Sequence, residues 1–301
     1  GIGYIFIANL VATVVTFLML LPEMSQFIWR FDKVLWRKMM VYALPLMVAG
    51  LAGITNETID RILLQHLLPE DISASEIGLY SAFYKLSIIM TLFVQTFRFA
   101  AEPFFFSQEK ERNAKQIYAQ IMKYFSIVTA FIFLSVMTYY DIVKQFIGSA
   151  FHDERGVVIV PILLLANLFL GLYYNLSVWY KLTEKTQYGA YMSMLGAAIT
   201  VIFNLALIPC LGFVGSAWAT LFCYFLMTVC SYFLGQKYYP IAYPLRRISL
   251  YFSLMLGFYF LSIYLSLGMG VNTFFLIIYI LVVYVLEKPK KRVISNPQLF
   301  D

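Results

Sequence analysis

Near its C-terminal end the chain reads Ile277-Ile278-Tyr279-Ile280-Leu281-Val282-Val283, an apolar run without a charged residue. The strands of a membrane β-barrel alternate apolar and polar positions, and this run does not. A helix of about 20 apolar residues crosses a bilayer core about 30 Å thick. The run therefore predicts a transmembrane helix, and similar runs recur along the chain.

The composition excludes most other classes of protein. The 301 residues are 61% hydrophobic, 18% aromatic and 13% charged, and the mean hydropathy is +0.78. A soluble domain carries about 25% charged residues, and a disordered chain needs low hydrophobicity. The sequence therefore predicts an all-α, polytopic helical membrane protein.

Basic residues give the orientation of the predicted spans. We predict nine spans, at 3–22, 41–63, 78–101, 123–143, 157–180, 189–209, 214–235, 248–267 and 271–286. Alternate loops and the tail hold 17 of the 22 lysines and arginines, and the other loops hold only Lys144 and Arg155. One of these other loops, 70–76, is purely acidic. Cytoplasmic loops are rich in Lys and Arg, so the tail is predicted to be cytoplasmic and the net charge of +6 does not indicate nucleic-acid binding.

The segment 27–38 is predicted to be an amphipathic helix on the cytoplasmic face, because Trp29, Lys33 and Trp36 recur at helical spacing beside basic residues. It is either an interfacial cap for the second span or a linker between two helical lobes. The chain opens with Gly-Ile-Gly and has no basic segment before its first span. An outside N-terminus followed by nine spans leads us to expect the C-terminal part of a longer chain.

Three basic residues, Arg61, Lys85 and Arg98, fall at membrane depth, where charge is costly and usually faces a cavity or a partner. At 100° per residue, the third span places Lys85, Gln95, Arg98 and Glu102 on one face, together with Ser81 and Thr91. The opposite side holds Leu86, Ile89, Met90, Phe93 and Phe97. We therefore predict that the polar face lines a cavity, with Lys85 about 10 Å below the outer edge.

The second span gathers Glu57, Asp60 and Arg61 on one face, where Glu57 and Arg61 are four residues apart and can pair. These charges either line the same cavity or have an interfacial or structural role, and the sequence leaves both readings open.

Enzymatic signatures are lacking. The sequence contains no HExxH motif, no Ser/His pair suited to catalysis and no Gly-rich phosphate loop. The three cysteines have no CxxC spacing, and two histidines leave little for a metal site. We predict no catalytic residue, no metal and no cofactor.

Four stretches of the sequence carry a resemblance to a known family. They read Asn56-Glu57-Thr58-Ile59-Asp60-Arg61-Ile62-Leu63-Leu64, Glu76-Ile77-Gly78-Leu79-Tyr80-Ser81-Ala82-Phe83-Tyr84-Lys85, Tyr173-Tyr174-Asn175-Leu176-Ser177-Val178-Trp179-Tyr180-Lys181-Leu182-Thr183-Glu184-Lys185-Thr186 and Ile208-Pro209-Cys210-Leu211-Gly212-Phe213-Val214-Gly215-Ser216-Ala217-Trp218-Ala219-Thr220. In this order they resemble the polysaccharide-biosynthesis exporters, the Wzx-type O-antigen flippases. The wider superfamily includes the multidrug MATE exporters and the lipid II flippase.

The resemblance implies a MATE-like two-lobe transporter that lacks most of its N-terminal lobe. It implies the following divisions of the chain: the last helix of that lobe at 1–22, a cytoplasmic linker at 23–40, the six-helix C-terminal lobe at 41–235, an accessory helix pair at 236–286 and a basic cytoplasmic tail at 287–301. The first two helices of each lobe line the central cavity in related flippases, and the second and third spans occupy that place here.

The implied function is the flipping of a polyprenyl-pyrophosphate-linked oligosaccharide, an O-antigen or capsule repeat unit, across the bacterial inner membrane. Lys85, Arg98, Arg61 and Gln95 are then expected to contact the substrate, and Glu57, Asp60 and Glu102 to balance charge or couple an ion. Membrane lipids, a glycan polymerase and a chain-length regulator are the expected partners. A MATE-like drug or cation antiporter, a membrane-embedded glycan polymerase and a non-transporting scaffold remain as alternatives.

Overall fold

A computed structural model describes residues 3–24 and 31–288, apart from the side chains of residues 5, 24, 55–57 and 150. This part of the chain is helical and contains no strand. Single 3-10 turns follow α6 at Lys144–Phe146 and Ser149–Phe151. The helices are α1 (Gly3–Met24), α2 (Lys33–Leu67), α3 (Glu70–Leu86), α4 (Ile88–Gln108), α5 (Ala114–Thr138), α6 (Tyr140–Val143), α7 (Gly156–Leu176), α8 (Val178–Leu182), α9 (Gln187–Leu211), α10 (Phe213–Tyr238), α11 (Leu245–Tyr264) and α12 (Met269–Glu287).

The prediction of an all-α polytopic membrane protein is confirmed. Among the described residues, nine helical segments are long and apolar enough to cross a membrane. Each of the nine covers more than half of a predicted span, and α7 and α8 together form one segment, Gly156–Leu182. The third predicted span differs most from the observed helices.

One continuous helix over 78–101 is a wrong prediction, because α3 and α4 meet at Ser87. The Ser87 hydroxyl donates to the backbone carbonyl of Tyr84 at 2.8 Å, a local bond that competes with regular helix bonding. Residues 70–76, predicted as an acidic loop, instead form the first turns of α3. Pro69 is the N-cap, and Glu70 and Asp71 stand in the first turn, where negative charge stabilises a helix.

The described residues divide into two compact units, one before and one after the boundary between Ala43 and Leu44. In the first unit, Asp32 Oδ1 accepts hydrogen bonds from the backbone N–H groups of Val34 at 2.8 Å and Leu35 at 3.1 Å. Asp32 therefore caps the N-terminus of α2. The predicted amphipathic segment ends in this cap and the first turns of α2, whereas its residues 27–30 lie outside the described residues, as do residues 25–30 of the predicted linker and most of the predicted tail.

The second unit is built around α7. In the Gly156–Leu182 segment 78% of the residues are buried, a larger share than in any other candidate span of the described chain. The helix is apolar on all sides, which is typical of a helix surrounded by others, and α4, α5 and α10 pack against it. The Phe125 ring of α5 stacks 5.6 Å from Phe93 and lies 4.6 Å from Phe97. These aromatic contacts fix α4 beside α5 and so position the polar side chains of α4.

Helices α11 and α12 pack against α5, and a set of polar side chains that we name the Glu287 cluster joins them. Glu287 Oε2 pairs with Lys123, and Glu287 Oε1 accepts from Arg247 at 2.8 Å and from the Tyr251 hydroxyl at 2.6 Å. The side chains of Lys123 and Glu287 are each 12% exposed. The Glu287 carboxylate accepts hydrogen bonds from three donors, two of which are charged, and such charge-assisted bonds are strong. The Glu287 cluster therefore anchors α11 and α12 to α5.

At the opposite end of the bundle, Arg155 connects the start of α7 to α3. Its guanidinium donates to Glu76 Oε1 at 2.8 Å and to Asp153 Oδ2 at 2.8 Å, and it lies 4.5 Å from the centre of the Phe213 ring. The hydrogen bonds from Arg155 hold the pKa of the Asp153 carboxyl below its usual value. Arg155 therefore offsets part of the negative charge of Glu76 and Asp153 at this end.

Candidate functional site

The predicted polar face lies along α3 and α4, on both sides of the break at Ser87. Ser81, Thr91, Gln95, Arg98 and Glu102 are half-buried, and Lys85 is exposed. On the apolar side, Leu86 and Met90 are buried and Phe93 and Phe97 pack against the core, whereas Ile89 is exposed. The polar row therefore borders the packed side of α4, beside a separate exposed apolar surface that includes Leu92 and Phe99.

Asp60 is buried in a contact between α2 and α3. Its side chain is 2% exposed, and Oδ2 accepts a hydrogen bond from the Tyr80 hydroxyl at 2.6 Å. Its Oδ1 is also buried and accepts no hydrogen bond from the residues whose side chains are described. Asp60 is therefore enclosed by its neighbouring helices, and of the readings that the sequence left open the contact fits a structural role.

Arg61 and Glu57 are the other predicted charges of α2. Arg61 Nε donates weakly to Ser81 Oγ at 3.4 Å, and the Arg61 guanidinium carbon lies 5.2 Å from the centre of the Tyr84 ring. Cation–π contacts of this kind contribute about 0.5–2 kcal/mol. Arg61 thus connects α2 to the residues next to Lys85. The Glu57 side chain, and with it the predicted Glu57–Arg61 pair, lies outside the described residues.

We expect Tyr80→Phe to lower the free energy of unfolding by about 1–3 kcal/mol, because it leaves a buried carboxylate without its donor. Thermal unfolding of the purified protein in detergent measures the change. Tyr264→Phe is the matched control, since Tyr264 is 86% exposed. Equal melting temperatures for the two variants would show that the Asp60–Tyr80 hydrogen bond does not stabilise the fold.

Lys85 differs from the other cations of the site. It is exposed at the last turn of α3, and its ammonium group forms no hydrogen bond or ion pair within the part of the chain that the structure describes. The candidate membrane span that follows begins at Ile88, so Lys85 lies just before it. Lys85 is therefore available to an anionic group from outside the described residues.

Arg98, Glu102 and Lys181 form a second charged group, which we name the Glu102 triad. Glu102 Oε1 accepts from Arg98 Nε at 3.1 Å and from Lys181 Nζ at 2.5 Å. The Arg98 guanidinium carbon also lies 4.5 Å from the centre of the Tyr174 ring. The triad therefore connects α4 to α7 and α8, and its two cations exceed its one carboxylate by one charge.

Lys181 was not among the predicted site residues. The sequence assigns it to a basic loop, because it follows the last residue of the predicted fifth span. The structure places it in α8 with a side chain only 11% exposed. The one signal in the sequence is its position directly after the aromatic pair Trp179-Tyr180, and both of those residues are buried.

The site is thus a row with net positive charge. Asp60 and Arg61 are adjacent charges of opposite sign, Lys85 adds one positive charge and the Glu102 triad adds another. Lys85 and Arg98 are separated by about 20 Å of helix, at 1.5 Å per residue. Gln95 lies between them, half-buried. Such a row favours an elongated anionic or polar ligand over a cationic one.

Metal ligands are not grouped in this site. Within residues 3–24 and 31–288, no three His, Cys, Asp or Glu side chains come together in a way that would bind a metal ion. Comparison of the chain with protein-family models, with curated proteins and with solved structures found no match. The geometry of the polar row is therefore the basis for assigning a function.

Proposed function

We propose that this membrane protein is a transporter that flips a polyprenyl-pyrophosphate-linked oligosaccharide from the cytoplasmic to the outer leaflet of a bacterial inner membrane, with its C-terminus in the cytoplasm. The observation that carries the proposal is the polar, net cationic row on α3 and α4, in which Lys85 is exposed and its ammonium group has no ion pair within the part of the chain that the structure describes. The family resemblance of the four sequence stretches supplies the class of substrate.

The physical problem that the row addresses is desolvation. A diphosphate and the hydroxyl groups of a sugar are expensive to transfer into hydrocarbon, so that uncatalysed crossing is slow. Fixed cations and amide groups along the path replace part of the lost hydration. The lipid tail can stay in the bilayer throughout, because its own transfer requires no polar surface.

Each residue predicted to contact the substrate has a distinct place in this mechanism. Lys85 contacts the diphosphate when it lies at one end of the row, and Arg98 contacts it when it lies at the other end, while Gln95 hydrogen-bonds the polar headgroup between these two positions. Arg61 contacts Ser81 and Tyr84, and through these contacts it positions the part of α3 that carries Lys85. Alternating access by two bundles rocking around a midplane site would expose the row first to the cytoplasm and then to the outside.

A MATE-like cation antiporter is the second candidate. The buried Asp60 carboxyl, with one oxygen that accepts no hydrogen bond from the side chains described, favours it because a cation would satisfy that oxygen. The net positive charge of the row disfavours a cationic substrate. No specific contact supports a glycan polymerase or a scaffold.

Reconstituted vesicles distinguish the two candidates. The full chain is incorporated into liposomes that contain a fluorescent polyprenyl-diphosphate-linked oligosaccharide, and the fraction that becomes accessible to an external quencher is followed with time. A cationic dye is tested in parallel. Flipping of the lipid-linked sugar without dye transport supports the proposal, and dye transport alone contradicts it.

A further inference from the structure

The Glu102 triad places two cations on a single carboxylate oxygen. Arg98 Nε and Lys181 Nζ both donate to Glu102 Oε1, at 3.1 Å and 2.5 Å. Arg98 and Glu102 belong to α4 and Lys181 belongs to α8, so the Glu102 carboxylate holds the two helices together. One negative charge is paired with two positive charges, so the triad carries a net charge of one positive unit.

A diphosphate suits this pair of cations better than a carboxylate does. It carries more negative charge and more acceptor oxygens, and both guanidinium and ammonium groups are common phosphate ligands. The Tyr174 ring, 4.5 Å from the Arg98 guanidinium carbon, limits the orientations that Arg98 adopts. The cations are therefore already positioned for an anion that spans the gap between α4 and α8.

The carboxylate of the triad is more exposed than the carboxylate of the similar Glu287 cluster. The side chains of Arg98 and Glu102 are 38% and 34% exposed. In the Glu287 cluster the carboxylate is 12% exposed and accepts a third bond from Tyr251. Glu102 can leave its partners and become solvated, whereas Glu287 is held by three donors.

We propose that Arg98 and Lys181 form a diphosphate-binding site that Glu102 occupies when no ligand is bound. An incoming diphosphate displaces the Glu102 carboxylate, and the contact between α4 and α8 then passes through the ligand instead of through Glu102. The inference rests on the proposed function for the origin of the diphosphate, the headgroup of a lipid-linked sugar. A carboxylate that competes for the site makes ligand release easier, because it restores the charge pairing that the ligand removes.

Calorimetric titration of the full chain in detergent tests this site without requiring transport. Inorganic pyrophosphate and farnesyl diphosphate are the probes, with farnesol as the uncharged control, all at one ionic strength. We expect Glu102→Gln to bind both diphosphates about tenfold more tightly than the wild-type chain, because the competing carboxylate is removed. The added Lys181→Gln substitution is expected to abolish that gain.

Two further variants make the test specific. Glu287→Gln removes a carboxylate that also pairs with a Lys and an Arg, and it is expected to leave diphosphate affinity unchanged. If Glu102→Gln does not fold, Lys181→Gln and Lys181→Arg in the otherwise unchanged chain replace it, with weaker binding expected only for Lys181→Gln.

The inference is overturned if Glu102→Gln binds diphosphate no more tightly than the wild-type chain, or if its higher affinity persists when Lys181→Gln is added. It is also overturned if Glu287→Gln raises the diphosphate affinity by the same factor. In the otherwise unchanged chain, equal diphosphate affinities of Lys181→Gln and Lys181→Arg would overturn it as well. Binding of pyrophosphate equal to that of farnesyl diphosphate indicates recognition of the phosphate alone, and tighter farnesyl diphosphate binding indicates a lipid-linked source. Diphosphate binding through Lys181 in a chain that flips no lipid-linked sugar would support this site and contradict the proposed function.

Discussion

Lys85→Ala is expected to reduce flipping of the lipid-linked oligosaccharide by about 10- to 100-fold. A hydrogen bond to a charged group contributes about 1.5–3 kcal/mol, and each 1.4 kcal/mol corresponds to a factor of ten. Lys85 is exposed and forms no ion pair in the described part of the chain, so its loss removes an interaction with substrate and little of the internal packing. Lys85→Arg keeps the charge and is expected to retain most of the rate.

The vesicle assay measures this effect, with Lys110→Ala as the control. Lys110 is an exposed residue of the turn between α4 and α5, and its substitution is expected to leave the rate unchanged. Melting temperatures of all three variants establish that each is folded. A Lys85→Ala variant that is folded and flips at the wild-type rate would remove Lys85 from the mechanism.

Gly215→Ala is expected to destabilise the bundle by about 3 kcal/mol, at the upper end of the usual range for overpacking. A Cβ atom on Gly215 would lie 2.5 Å from the backbone oxygen and 2.6 Å from the backbone carbon of Leu207. Backbone atoms of α9 cannot rotate away as a side chain can, so α9 and α10 would have to separate. Gly212, with φ of 57°, makes the tight turn that brings these two helices together.

Gly257→Ala is the matched control for this prediction. Gly257 lies inside α11, and nothing stands within 4 Å of the position its Cβ would take. Alanine there is expected to leave stability unchanged or to raise it by about 0.5–1 kcal/mol, the ordinary helix preference over glycine. If both variants unfold in detergent at the wild-type temperature, the close approach at Gly215 does not limit packing.

The sequence predicts the transmembrane character of this fold well, and it predicts tertiary contacts less well. Continuous apolar runs determine which segments cross a bilayer, so the spans follow from hydropathy alone. The break at Ser87 has no comparable signal, because serine occurs in unbroken helices. Ser126 and Ser135 make the same kind of hydroxyl-to-carbonyl bond inside the unbroken helix α5. The acidic segment at 70–76 resembles a loop in composition, yet its charges favour the start of a helix.

For the candidate site too, the sequence predicts features within one helix better than contacts between helices. Helical spacing identifies Gln95, Arg98 and Glu102 as residues of one face, since all three belong to the single helix α4. Lys85 belongs to α3, on the other side of the break at Ser87. Two other contacts depend on how separate helices pack: the burial of Asp60 against Tyr80 and the ion pair between Lys181 and Glu102. Spacing along one helix carries no information about those contacts, which is why Lys181 was missed.

Labelling of single cysteines with a membrane-impermeant maleimide tests most directly whether the polar row of α3 and α4 faces water. Cysteines are introduced at Lys85, Arg98, Leu92 and Phe99 in a chain whose own three cysteines are replaced. All four positions are accessible in the bundle, at least in part, but Leu92 and Phe99 belong to the exposed apolar surface. We predict labelling at Lys85 and Arg98 and protection at Leu92 and Phe99 in intact membranes, whereas protection at Lys85 equal to that at Leu92 would contradict the account.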